Sequence, residues 1–236
     1  MVVSAAQAGG LAVTAAALAT ALATGFGAAP LAFATRTPRS WLGPANGVAA
    51  ALMLGASGML FYQGGRSDAG KTLAGAAIGV VAIALAARWL SKRESWRFEA
   101  LSGAQARTAV IIVAVMTVHS AAEGVGVGVA FGGGESIGFL TALAIAVHNI
   151  PEGLAISLVL VPRGVSVLHA AGWSVVSSLP QPLLALPAFA FVEAFGQALP
   201  IGLGFAGGAM MWMVLAQIVP DALRSSRGGS KGIAFH

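Results

Sequence analysis

Val118-His119-Ser120-Ala121-Ala122-Glu123-Gly124 and Val147-His148-Asn149-Ile150-Pro151-Glu152-Gly153 are one phrase written twice. Each copy sets a histidine and a glutamate four residues apart, which on an α-helix puts both side chains on one face. Both copies lie inside long apolar runs. Ionisable side chains at membrane depth are costly, face a bundle interior, and mark a functional site by default. Two such pairs brought face to face would make a metal site.

The composition around the phrase supports membrane depth. The 236 residues are 57% hydrophobic and 9% charged, whereas a soluble domain carries roughly 25% charged residues. Too little charge is present to coat a water-facing surface, so the chain reads as an all-α polytopic membrane protein. Its 32 glycines suit helices whose backbones approach closely in lipid. No cysteine is present, which removes disulfides and thiolate ligands from consideration. A sequence pI near 10.8 invites a nucleic-acid reading. The basic residues, however, are spread over loop-like segments and act better as topology signals.

Working outward, the apolar runs predict about seven transmembrane helices, near residues 9–34, 41–63, 71–90, 107–132, 136–161, 165–192 and 198–223, in a single domain 1–236. A basic tail, 224–236, follows. Ala32-Phe33-Ala34 mimics a signal-peptidase site, but the first run lacks a basic n-region and is too long for an h-region. It is read as a span. With the N-terminus outside and the C-terminus cytoplasmic, eleven of the thirteen Lys and Arg residues fall on the inner side; Arg66 and Lys71 alone fall outside. That bias sets the orientation and implies a multi-pass protein of the cell (inner) membrane. Trp41, Trp89 and Trp96 flank the inner face as anchors.

Depth follows from the Gly132–Gly134 turn, which lies midway between His119 and His148. In an antiparallel pair the two histidines are level, roughly 20 Å from the turn at ~1.5 Å per residue, near mid-membrane. Glu123 lies toward the outside and Glu152 toward the cytoplasm. Two neutral imidazoles and two carboxylates would balance a divalent cation. Pro151 removes one backbone N–H and frees a carbonyl near Val147, and irregular backbone at membrane depth is tolerated where it lines a cavity.

His148-Asn149-Ile150-Pro151-Glu152-Gly153 resembles the signature hexapeptide of the ZIP (Zrt-, Irt-like) divalent metal transporters, bacterial type. Gly207-Gly208-Ala209-Met210 and Ile218-Val219-Pro220-Asp221 extend the resemblance into the last helix. It implies a homodimeric eight-helix bundle that moves metal toward the cytoplasm, often through a two-metal site. The chain departs from the family pattern at Ser120, Ala122, Gln181 and Gln217, and the family's eighth helix has no clear counterpart after the basic segment Gly228–His236. Because those departures that touch a ligand position remove a charge or a donor atom beside the second metal, one ion is expected, held by His119, Glu123, His148 and Glu152. Gln181 joins them as an amide ligand or as a donor behind one. Met53, Ser120, Asn149, Gln217 and Asp221 are secondary or pathway candidates.

The expected substrate is a divalent transition metal, zinc by default, with iron, manganese, cobalt or cadmium also suited to His and carboxylate donors. The expected partners are that ion, the bilayer and a second copy of the chain, with neither nucleic acid nor an organic cofactor. An intramembrane zinc-dependent hydrolase is the alternative, with one glutamate as general base. It lacks HExxH and would withdraw a carboxylate from the metal. The chain is therefore expected not to be an enzyme.

Overall fold

In lipid, a backbone must satisfy its own hydrogen bonds, so apolar runs of this length become helices. The computed structural model describes residues 5–33, 42–91 and 104–220, and no β-strand occurs among them. The helices are α1 (Ala5–Phe26), α2 (Ala29–Phe33), α3 (Leu42–Ser91), α4 (Ala104–Gly132), α5 (Glu135–Leu160), α6 (Val167–Ser178), α7 (Pro180–Ala194) and α8 (Leu199–Met213). A π-helical turn, Val214–Ile218, continues α8. Five of the described helical stretches are long and apolar enough to cross a membrane: Gly9–Phe33, Ala50–Ala86, Glu135–Arg163, Val167–Ala194 and Gly196–Ala216.

The first of these shows how the bundle meets its solvent. Val13, Ala17, Thr20 and Thr24 form a fully buried stripe on α1, while Leu11, Leu18, Leu22 and Phe26 form an exposed one. Exposed leucine and phenylalanine at helical spacing suit acyl chains rather than water. The span is also not one continuous helix. Gly27 and Ala28 break it through i→i+3 turn bonds to Thr24 and Gly25, and Pro30 just beyond brings no N–H to the new helix.

A continuous 50-residue helix would run about 75 Å, more than twice the hydrocarbon core. The α3 segment breaks instead at Asp68, where the backbone is extended (φ −161°, ψ 102°). Asp68 Oδ1 accepts the Lys71 backbone N–H at 2.9 Å, the N-cap contact that starts a new helix. The arms fold back on each other: Gly64 lies against Thr72, and Gly207 and Gly208 of α8 touch Phe61 of one arm and Ala76 of the other. Small residues let α8 lie between both arms at backbone contact. The main core gathers around Leu203, Ala206, Ala209, Met210 and Met213 of α8, with Met53, Leu60, Val127 and Ile145 packed in from α3, α4 and α5.

The α4–α5 hairpin carries the doubled phrase. Its turn closes on Gly134, whose φ of +132° is a conformation open in practice to glycine. Behind it, α6 and α7 form one span interrupted at Leu179, where Pro180 starts α7. That interruption brings Gln181 to the first turn of α7, level with the motif on α4.

Candidate metal centre

The geometry follows from the hairpin. With the turn at Gly133–Gly134, His119 and His148 face each other across the α4–α5 seam, Nε2 to Nε2 at 3.3 Å. Glu123, one helical turn along α4, brings Oε1 to 3.3 Å from His119 Nε2 and 3.6 Å from His148 Nε2. Glu152, one turn along α5, stands 4.0 Å from His148 Nε2 through Oε2. All four side chains are buried, and one ligand atom from each lies within 4.8 Å of all the others. The spacing that suggested a shared face has become a shared point.

This cluster is incompletely satisfied by the protein itself. Among the described residues, Glu123 Oε1, both carboxylate oxygens of Glu152 and the Nδ1 atoms of both histidines are buried without a hydrogen-bond partner. Buried carboxylate oxygens left in that state are expensive. A cation would offset that cost, because the inward-facing carboxylate oxygens and imidazole nitrogens are donors suited to a divalent transition metal.

Behind Glu123 sits a second layer of side chains. Gln181 Nε2 donates to Glu123 Oε2 at 2.7 Å. Asn149 Nδ2 donates to Gln181 Oε1 at 3.2 Å and to the backbone carbonyl of Thr20 at 2.7 Å. Gln181 and Asn149 are both fully buried. The Gln181 side-chain amide thus bridges Glu123 and Asn149.

The glycines that close the two phrases explain how neighbouring helices come so near. A Cβ on Gly124 would lie 2.6 Å from the Gln181 backbone carbonyl oxygen, and one on Gly153 would lie 1.7 Å from the Thr24 backbone carbonyl oxygen. Gly124 therefore seats α7 against α4, and Gly153 seats α1 against α5. Thr20 and Thr24 are neighbours of the site that sequence reading did not find. Their signal is only that a buried polar stripe, which also includes a Thr24 Oγ1 to Ser178 Oγ hydrogen bond of 2.8 Å, runs down an otherwise alanine-rich helix.

The remaining candidates separate. Ser120 is buried beside His119, and its hydroxyl has no hydrogen-bond partner among the described residues. Asn149 belongs to the second layer. Met53 packs in the main core. Gln217 lies in the π-helical turn after α8, but its side chain is outside the described residues. So are Asp221, Trp41, Trp96 and the basic tail 224–236.

Comparison with known proteins identifies the family of the chain. The ZIP zinc transporter family model matches residues 73–234, which include all four clustered residues and Gln181. An Arabidopsis thaliana protein is 46% identical over 212 residues, covering 89% of this chain and 34% of its own length. The chain thus spans about a third of that relative. Zinc transporter GufA of Myxococcus xanthus is 31% identical over 220 residues, covering 88% of this chain and 85% of GufA. Zinc transporter ZIPB of Bordetella bronchiseptica is 31% identical over 116 residues, 49% of this chain and 38% of that protein. With more than half its length matched by the family model and most of GufA covered, this multi-pass membrane chain belongs to the ZIP zinc transporter family.

Proposed function

We propose that this protein carries a divalent transition-metal cation, zinc first among the candidates, across the cell (inner) membrane toward the cytoplasm. His119, Glu123, His148 and Glu152 form its binding centre. The observation that carries this reading is the convergence of four buried ligand atoms within 4.8 Å of one another. Two neutral imidazoles and two carboxylates bring a divalent ion to net zero charge, which is the condition for holding it in a low-dielectric interior. The names of GufA and ZIPB as zinc transporters support zinc as the first ion to test.

Transport also requires release. With no thiolate in the set, ligand exchange stays fast, and protons compete with the metal for every donor present. The excess of basic residues in the segments assigned to the inner side supports N-out, C-in topology. The family resemblance supports inward flux and a homodimer. The hydrolase alternative needs a carboxylate held apart from the metal as general base. Here both glutamates approach one point with the histidines, which disfavours it.

The test is metal uptake into proteoliposomes with a panel of divalent ions. Wild-type protein is expected to carry zinc, and Glu152→Ala to fall toward the rate of empty vesicles. Equal uptake by the two would refute the assignment of the centre.

A further inference from the structure

The polar contacts behind Glu123 run in one direction. A backbone carbonyl can only accept a hydrogen bond, so the group 2.7 Å from the Thr20 oxygen must be the Asn149 NH2. The other hydrogen of that NH2 points at Gln181, 3.2 Å away, and requires the Gln181 carbonyl oxygen there. The Gln181 NH2 is thereby turned to Glu123, where it donates at 2.7 Å. Amide orientations are usually ambiguous; in this chain of contacts the fixed polarity of Thr20 decides both.

The consequence falls on the two oxygens of Glu123. Oε2 is engaged by Gln181, while Oε1 has no hydrogen-bond partner among the described residues and faces both histidine Nε2 atoms. We infer that Asn149 and Gln181 form an amide relay, anchored on the Thr20 carbonyl of α1, that presents Glu123 to the metal through one oxygen. Gln181 is a positioning residue in this scheme, and Asn149 positions Gln181. The relay joins α1, α5, α7 and α4 through four buried groups, so the placement of a metal ligand on α4 depends on a helix near the N-terminus. It rests on the metal-centre reading proposed above.

A double-mutant cycle on zinc affinity tests the relay, measured on purified full-length protein by competition with a chromogenic chelator. Gln181→Leu keeps the volume and removes the donor. It should weaken zinc binding by about 10-fold, at the lower end of what losing an outer-shell partner costs. Asn149→Ala should give a smaller loss of the same kind, and the double variant should bind no more weakly than Gln181→Leu alone. If Asn149→Ala does not purify, Asn149→Ser, too short to span both contacts, takes its place. Co²⁺ supplies a spectroscopic check: its d–d bands, intense in four-coordinate sites, should weaken in Gln181→Leu as Glu123 turns both oxygens to the ion. Losses that multiply in the double variant, wild-type affinity in either single variant, or an unchanged Co²⁺ spectrum would overturn the relay. Wild-type protein that binds no zinc at all would overturn the metal centre as well.

Discussion

The first copy of the phrase, on α4, and the second, on α5, have the same spacing and different fates. Glu123 lies within 3.6 Å of both histidines and is held from behind by Gln181. Glu152 reaches one histidine at 4.0 Å, and neither of its oxygens has a hydrogen-bond partner among the described residues. The position after the histidine differs in the same way. The Ser120 hydroxyl has no partner among the described residues, whereas Asn149 reaches both α1 and α7. The helical period makes the copies equivalent in register; the helices packed behind them hold one glutamate by a hydrogen bond and leave the other without one among the described residues.

The widest gap between the copies should appear at their glycines. Gly153→Ala drives a Cβ into the Thr24 carbonyl, a backbone atom that cannot move unless α1 does. Overpacking costs typically about 1–3 kcal/mol, and this contact lies at the severe end. Little folded protein is expected in detergent by size-exclusion chromatography. Gly124→Ala meets Gln181 less closely, so this variant should purify with a lowered melting temperature. If Gly153→Ala proves as stable as Gly124→Ala, α1 is not seated on the second copy as described.

At the glutamates the ordering reverses. Glu123 is held from behind by Gln181, whereas no hydrogen bond holds Glu152 among the described residues, so more of the ordering cost of Glu152 falls on metal binding. Glu123→Gln should therefore weaken zinc binding more than Glu152→Gln, and by more than the ~10–100-fold typical of losing an outer-shell partner. Equal losses, read by chelator competition, would mean that metal binding erases the asymmetry.

The smallest effect is expected well away from both copies. Met53 sits in the main core, and swaps of leucine for methionine usually cost less than about 1.5 kcal/mol. Met53→Leu should leave zinc affinity unchanged and shift melting slightly. A tenfold fall in affinity would bring Met53 into the site.

These contrasts also mark how far the sequence can be read. The four-residue step from histidine to glutamate is local, and the Gly132–Gly134 turn places the two steps level, so the cluster is legible from the chain alone. The Asp68 hairpin is legible too, because Arg66, Asp68 and Lys71 interrupt an apolar run that is too long to cross once. The unequal standing of the two glutamates is not legible. It depends on Asn149 meeting Thr20, 129 residues away, and Gln181, 32 residues away, through contacts no periodicity encodes. The break at Gly27 is half legible: Gly25, Gly27 and Pro30 are turn residues, but the close approach of α5 at Ile150 and Leu154 that excludes a Cβ at Gly27 is not.

The central claim is that both copies close on one ion. The direct measurement is zinc bound per chain, by elemental analysis of purified protein after equilibration and desalting, in wild type and in the Glu123→Ala/His148→Ala double variant. One zinc per chain in wild type and none in the variant is the expected result. Two tightly bound ions in wild type, or one retained by the double variant, would contradict it.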